Sequence, residues 1–190
     1  MEEKTKNPNI KPHVRGSAHG EMYQKLVSGL RAYFEKHHFK RGVLGVSGGV
    51  DSALTLKIAA DALGAENVIA VLMPEHGVTK QENIDHSKIL CQFLRVRFYY
   101  QPINTFLTDF NITPWKPSPL AAMNTKARIR AVLLYSIANT EQALVLGTSN
   151  KSEILLGYGT KYGDLAADVE VIGELLKTEV IALADFAGLP

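Results

Sequence analysis

Gly42-Val43-Leu44-Gly45-Val46-Ser47-Gly48-Gly49-Val50-Asp51-Ser52 begins as an apolar run bounded by glycines, which reads as a buried strand. It ends in a turn, Ser47 to Ser52, that enters a helix running to about Leu63, where Gly64 stops it. Strand, glycines, hydroxyls and helix start coincide here. Glycine lets a backbone approach an anion closely. The helix start offers unpaired amides and the positive end of its dipole. Together these make a phosphate cradle. Ser47 and Ser52 add hydroxyl donors. Asp51 would repel a bare phosphate, so it points to a magnesium ion between carboxylate and phosphate. The turn lacks the lysine of a Walker loop, and its glycines do not fit a dinucleotide fingerprint.

Strand and helix alternate on either side of this turn. Upstream, Tyr23, Leu26, Val27, Leu30 and Phe34 recur at helical spacing. Downstream, the reading gives a strand over Asn67–Met73, a helix over Gln81–Leu94 and a strand over Val96–Pro102. A loop follows over Thr105–Ser118, then a long helix over Leu120–Asn139 and a strand over Ala143–Leu146. Next come a short helix over Lys151–Leu156, a glycine-rich loop over Tyr158–Asp168 and a helix over Glu174–Ala187. Short strands, apolar on both sides, predict an α/β fold: a three-layer, doubly wound, mostly parallel sheet with helices on both faces. The segment 1–20, with Lys4, Lys6, Lys11, His13 and Arg15, is expected to be a flexible tail or linker, and 21–190 the folded domain. The chain stops at Leu189-Pro190, just after a helix, where such a sheet normally continues.

Composition narrows the function. The 190 residues are 46% hydrophobic and 21% charged, an ordinary globular balance. Lys plus Arg is 21 and Asp plus Glu 19, a net charge of +2 that argues for neither nucleic acid nor an anionic membrane as partner. No apolar run approaches the roughly 18 residues of a spanning helix. The single cysteine, Cys91, reads as a core residue, which fits a reducing compartment, and a cytoplasmic location is expected. The histidines have no convincing zinc spacing with it.

Three further clusters carry chemistry. Asn124 and Arg128 are four apart and share a helix face, from which Arg130 points away. Gly147-Thr148-Ser149-Asn150-Lys151-Ser152-Glu153 follows the fourth strand, at the sheet end where open α/β sheets bind ligands. Ser149 or Asn150 also suits a helix cap, with Glu153 in the first turn. Gly157-Tyr158-Gly159-Thr160-Lys161-Tyr162-Gly163-Asp164 runs on to Asp168 and then to Gly173-Glu174-Leu175-Leu176-Lys177-Thr178, a loop of the kind that closes over a ligand.

The Ser-Gly-Gly-Val-Asp-Ser turn resembles the pyrophosphate loop of the ATP pyrophosphatase superfamily. With Asn-x-x-Ala-Arg-Ile-Arg, Gly-Thr-Ser-Asn-Lys-Ser-Glu, Thr-Lys-Tyr-Gly-Asp and Gly-Glu-Leu-Leu-Lys-Thr-Glu-Val in that order, the chain from about Glu21 to Pro190 resembles the NAD synthetases. The resemblance implies an adenine nucleotide α-hydrolase-like fold and a carbon–nitrogen ligase. The nicotinate carboxylate of deamido-NAD attacks the α-phosphate of ATP, pyrophosphate leaves, and ammonia displaces AMP. By that likeness Gly45, Val46, Ser47, Gly48, Gly49, Val50, Asp51, Ser52, Thr148 and Lys177 contact ATP. Asp51 and Glu153 ligate magnesium, and Asp51, Glu153 and Lys177 neutralise charge without any side-chain nucleophile. Arg128, Lys161 and Asp168 bind deamido-NAD.

The long helix is apolar on two sides, Ala127, Ala131, Leu134 and Ala138 on one and Ile129, Val132, Leu133 and Ile137 on the other, so that one side suits the sheet and the other a second subunit; the likeness implies a homodimer. It implies a C-terminal segment past Pro190 that adds a hydroxyl at the phosphates. Without a glutaminase domain the donor is free ammonia, although the synthetase part of a glutamine-dependent enzyme reads the same way. Two alternatives stand beside it: a GMP synthetase-like ligase of the same superfamily, and a truncated nucleotide-binding form without turnover.

Overall fold

The computed structural model describes residues 18–110 and 114–189. Val68–Leu72 (β2) is apolar at every position and buried at every position, as a central strand covered on both faces must be. It pairs in parallel with Arg41–Gly45 (β1), with Gly42 opposite Val68 and Gly45 opposite Val71. Arg97–Tyr100 (β3) pairs with β2, Ala143–Gly147 (β4) with β1, and Val169–Glu170 (β5) with β4, all in parallel. The order is β3-β2-β1-β4-β5, so the chain crosses from one side of β1 to the other between β3 and β4. Ligands of open α/β sheets sit at the carboxyl ends of the strands at such a reversal.

Helices cover both faces, as the alternation predicts. On one face Ala18–Lys36 (α1), Val50–Leu63 (α2), Gln81–Leu94 (α3) and Lys177–Phe186 (α7) share a core with Leu44, Ala70 and Leu146. On the other, Asn104–Phe110 (α4) and Pro119–Glu141 (α5) lie over Val43, Ile69, Val71 and Val145. Lys151–Leu156 (α6) sits after β4. The bounds of α3 and the end of α2 are those read from the sequence, with Gly64 ending α2 at φ 86°, but α2 begins at Val50, inside the stretch read as a turn. Cys91 is buried, and burial pushes its thiol up to about 11, so it stays protonated and inert.

Four expectations need correction. First, α1 begins at Ala18, so residues 18–20 of the anticipated tail are helical, while 1–17 lie outside the described residues. Second, Thr105–Ser118 is not wholly loop: α4 forms because Ile103, fully buried, and Leu107 hang on the second core, too short a stretch for periodicity to register. Residues 111–113 of that segment lie outside the described residues. Third, β5 escaped notice because two residues carry no alternation. Fourth, α7 starts at Lys177 rather than Glu174: Leu175 is spent in a turn onto Ile172, and Leu176 is 44% exposed instead of inward.

The long helix α5 also divides differently. Ile129 is buried against the sheet with Ala131 and Ala138, while Leu120, Met123 and Val132 are more than half exposed. The buried side is therefore wider than the small-residue stripe alone.

Candidate active site

The turn after β1 folds on its own hydroxyls. Val46 donates to Val71 O and so extends the β1–β2 ladder by one bond (3.0 Å). Ser52 is buried; its Oγ donates to Gly49 O (2.9 Å) and accepts from Ser47 N (3.2 Å). Ser52 therefore braces the turn from within. Ser47 Oγ accepts from Gly49 N (3.3 Å) and lies 3.2 Å from Ser52 Oγ. Gly49 is the N-cap of α2 and makes no side-chain cap, so the first-turn amides of Val50, Asp51 and Ser52 are left for a ligand.

Gly48 cannot be replaced. Its φ is +83°, and a Cβ there would meet Asn83 O at 2.4 Å and Asn83 Cα at 2.8 Å, backbone atoms of α3. Gly48→Ala is expected to cost about 2 kcal/mol of stability, from the left-handed backbone and the clash together. It should also weaken ATP binding about tenfold or more by pushing the turn off α3. Urea unfolding and calorimetric titration with ATP check the two effects separately.

A cavity of about 430 Å³ opens beside this turn at the carboxyl ends of β1, β2 and β4. Gly45, Val46 and Ser47 form one wall, Met73, Thr79 and Asn83 another, and Thr148 with Asp164 a third. From α5 come Ala127, Arg130, Ala131 and Leu134, residues three and four apart on one face. The mainly apolar wall, a few polar groups and adjacent open amides suit a nucleoside with its phosphates on the turn.

Arg130 points away from Asn124 and Arg128, as the spacing predicts, and the structure shows where it goes. Arg130 lines the cavity and donates from Nε to Met73 O (3.0 Å). Burial pulls its guanidinium below the ordinary arginine range, and nearby Glu75 opposes that. Lys126 pairs with Glu75 at 2.7 Å, so α5 is tied to the loop after β2. The signal was present: Arg130 is three residues after Ala127 and four before Leu134.

Beyond the turn, Asp51 is held from two sides. Its Oδ1 accepts from Asn150 Nδ2 (3.0 Å), and its Oδ2 forms an ion pair with Lys177 Nζ. Asn150 is the N-cap of α6 in a capping box: its Oδ1 accepts from Glu153 N (3.1 Å), and Glu153 Oε2 accepts from Asn150 N (3.2 Å). Lys177 opens α7, and its backbone N–H donates to Ser152 Oγ (3.0 Å). Asp51, Glu153 and Lys177, distant in sequence, are thus joined through the start of α6. The capping reading of Asn150 holds, but its second bond, to Asp51, was missed. An amide at a cap position where a hydroxyl would serve was the available clue.

Two carboxylates beside open phosphate-binding amides are what a magnesium ion takes from a protein when the substrate phosphates and water supply its other ligands. Asp51 already faces a cation, Lys177. Glu153 Oε1 makes no protein hydrogen bond among the described residues. The residues present fit such an ion.

The remaining predicted contacts form a second group. Thr160 Oγ1 donates to Asn124 Oδ1 (2.9 Å), and Arg128 Nε donates to Lys161 O (3.2 Å). The shared face of Asn124 and Arg128 is therefore what pins the Tyr158–Asp168 loop to α5. Lys161 Nζ lies 5.0 Å from the Tyr162 ring centre. Asp168 is used differently: Oδ2 accepts from Val145 N (2.7 Å) and Oδ1 from Tyr135 OH (3.2 Å). Burial, with Asp168 alongside, holds the Tyr135 phenol above its usual range. Glu170, which the sequence reading passed over, accepts from Ser149 N (3.2 Å). Burial raises its carboxyl; the Ser149 amide opposes this, and the charges of Glu153 and Asp164 add to it.

Comparison with known proteins gives the family. The NAD synthase family model matches residues 22–190. The ammonia-dependent NAD(+) synthetase of Chlorobaculum tepidum is 39% identical over 181 residues, covering 95% of this chain and 65% of that protein. The chain thus spans about two thirds of the length of the curated relatives it matches. The solved ammonia-dependent NAD synthetase of Campylobacter jejuni superposes with a TM-score of 0.86 at 37% identity, covering 91% of this chain and 75% of that one. The glutamine-dependent NAD+ synthetase of Acinetobacter baumannii, solved with ADP, gives 0.87 at 37% identity over 93% of this chain and 34% of that one. By fold, motif order and extent of similarity, the chain belongs to the NAD synthase family.

Proposed function

We propose that the chain carries out the ATP-dependent amidation of deamido-NAD to NAD, with ammonia as nitrogen donor. The observation that carries this is the meeting of Asp51, Glu153 and Lys177 around Asn150, next to open helix amides and a nucleoside-sized cavity. ATP enters with its base and ribose in the cavity, between Met73 and Arg130, and its phosphates on the Ser47–Ser52 turn and Thr148. Magnesium, held by Asp51 and Glu153, supplies charge neutralisation and orientation at the phosphates. Lys177 leaves Asp51 for the phosphate oxygens and stabilises the charge that builds as pyrophosphate departs.

Arg128 and Lys161 bind the anionic deamido-NAD at the Tyr158–Asp168 loop, and Asp168 Oδ1, shared with Tyr135 alone among the described residues, takes a ligand hydroxyl. The nicotinate carboxylate oxygen then bonds to the α-phosphorus as the bond to pyrophosphate breaks. Ammonia adds to the activated acyl carbon, loses a proton, and AMP leaves with the attacking oxygen. No side-chain nucleophile is needed, because the substrate carboxylate is one.

The test is release of AMP and pyrophosphate from magnesium-ATP, with and without deamido-NAD and ammonium. AMP that requires deamido-NAD, with NAD formed only when ammonium is added, supports the reading. ATP binding without AMP in any mixture supports a nucleotide-binding form instead.

The same reading places the enzyme in the cytoplasm as a homodimer. Among the described residues no helix is long and apolar enough to cross a membrane. The exposed Leu120 and Met123, one turn apart at the start of α5, supply an apolar surface for a second copy. Light scattering at micromolar concentration is expected to give twice the chain mass, and a monomer mass would remove this part of the reading.

A further inference from the structure

Asn150 is fully buried and bonds to both carboxylates assigned above to magnesium. We propose that Asn150 is a positioning residue that locks Asp51 and Glu153 into one unit and so sets their spacing around a divalent cation. This rests on the metal reading of the preceding section.

An N-cap needs only an acceptor, which serine, threonine or aspartate supplies as well as asparagine does. Of these residues only asparagine carries the acceptor and the donor on two separate atoms, so one side chain can hold two partners in different directions. Here the acceptor Oδ1 serves Glu153 N, and the donor Nδ2 reaches across 99 residues of sequence to Asp51 Oδ1. The backbone N–H of Asn150 takes Glu153 Oε2.

Each carboxylate therefore has one oxygen held at Asn150 and one left over. Asp51 turns Oδ2 to the Lys177 cation, and Glu153 keeps Oε1 without a protein hydrogen bond among the described residues. Orientation of ligating carboxylates by such partners is what tunes a metal site. The neighbouring residues secure the same loop: Ser149 N on Glu170, Lys151 N on Leu175 O and Ser152 Oγ on Lys177 N. The start of α6 is thus held on both sides, and Asn150 transmits that rigidity to Asp51.

Two substitutions separate positioning from capping. Asn150→Ser keeps the cap acceptor on its single oxygen and removes the separate Nδ2 donor that reaches Asp51. Asn150→Asp keeps the cap acceptor and the shape, and turns an oxygen toward Asp51 in place of an N–H. The full chain is titrated calorimetrically with ATP in magnesium and with ATP in EDTA, after thermal unfolding without ligand identifies which variants fold.

The expected result for a folded variant is a loss of about tenfold or more in affinity for magnesium-ATP, with the affinity for metal-free ATP changed by less than about threefold. Asn150→Asp should lose at least as much as Asn150→Ser. A folded variant that binds magnesium-ATP within about twofold of the unaltered chain would overturn the proposal and leave Asn150 a helix cap. An unaltered chain whose ATP affinity ignores magnesium would show instead that the metal reading fails, and the positioning role falls with it.

Discussion

Lys177→Met is expected to reduce AMP formation by about 10²–10³-fold, or about 3–4 kcal/mol of transition-state stabilisation. Methionine keeps the length and apolar stem of lysine and removes only the charge. The loss should appear in kcat far more than in KM for ATP, because the ammonium group is needed most as charge develops on departing pyrophosphate. Lys177 is well placed for this: it begins α7, its backbone is anchored to Ser152, and its Nζ sits on Asp51 next to the phosphate turn. The unliganded chain should unfold nearly as before. The Lys177 side chain is 42% exposed, and a pair so open to water contributes at most about 1 kcal/mol. Steady-state release of AMP, with a melting curve alongside, checks both halves.

Asp51→Asn should be at least as damaging, about 10³-fold in kcat/KM for ATP. The substitution preserves size and the capacity to pair with Asn150, but it removes the charge that attracts both Lys177 and a divalent cation. Its signature differs from that of Lys177→Met. The magnesium concentration for half-maximal rate should rise steeply with Asp51→Asn and stay nearly constant with Lys177→Met. If both variants shifted the magnesium dependence equally, Asp51 and Lys177 would have to act through one shared structural effect rather than separate roles.

Much of the layout was legible because local chemistry and tertiary demand agree. The glycine-bounded strand and the Ser47–Ser52 turn state their geometry in residue types, as does the fully apolar β2. Helices with caps and stops, such as α2 before Gly64, announce their ends. Asn124 with Arg128 shares a face by helical spacing alone, and the structure uses that face to hold the Tyr158–Asp168 loop.

What stayed hidden depends on contacts between distant segments. α4 is anchored by two residues, Ile103 and Leu107, and β5 exists only because β4 lies alongside Val169 and Glu170. Arg130 shows in sequence only which face it avoids; its partner appears when α5 is laid over the β2 end, where Met73 O receives it. Asn150 displays its local role, the cap, and conceals its long-range one, because nothing near it in sequence says that Asp51 will be 3.0 Å away. Asp168 and Ser52 show the reverse: polar groups that look available are engaged by Val145 N and Tyr135 OH, and by Gly49 O and Ser47 N. Ser52 is buried, and a buried polar group must be satisfied before it is free for chemistry.

The central claim is that the substrate carboxylate is the nucleophile and the protein supplies only binding and charge. Deamido-NAD labelled with ¹⁸O in its nicotinate carboxylate, incubated with magnesium-ATP and ammonium, tests it most directly by mass spectrometry of the products. The account predicts one labelled oxygen in the AMP phosphate for each NAD formed, and none in pyrophosphate. AMP free of label, or label in pyrophosphate, would contradict it.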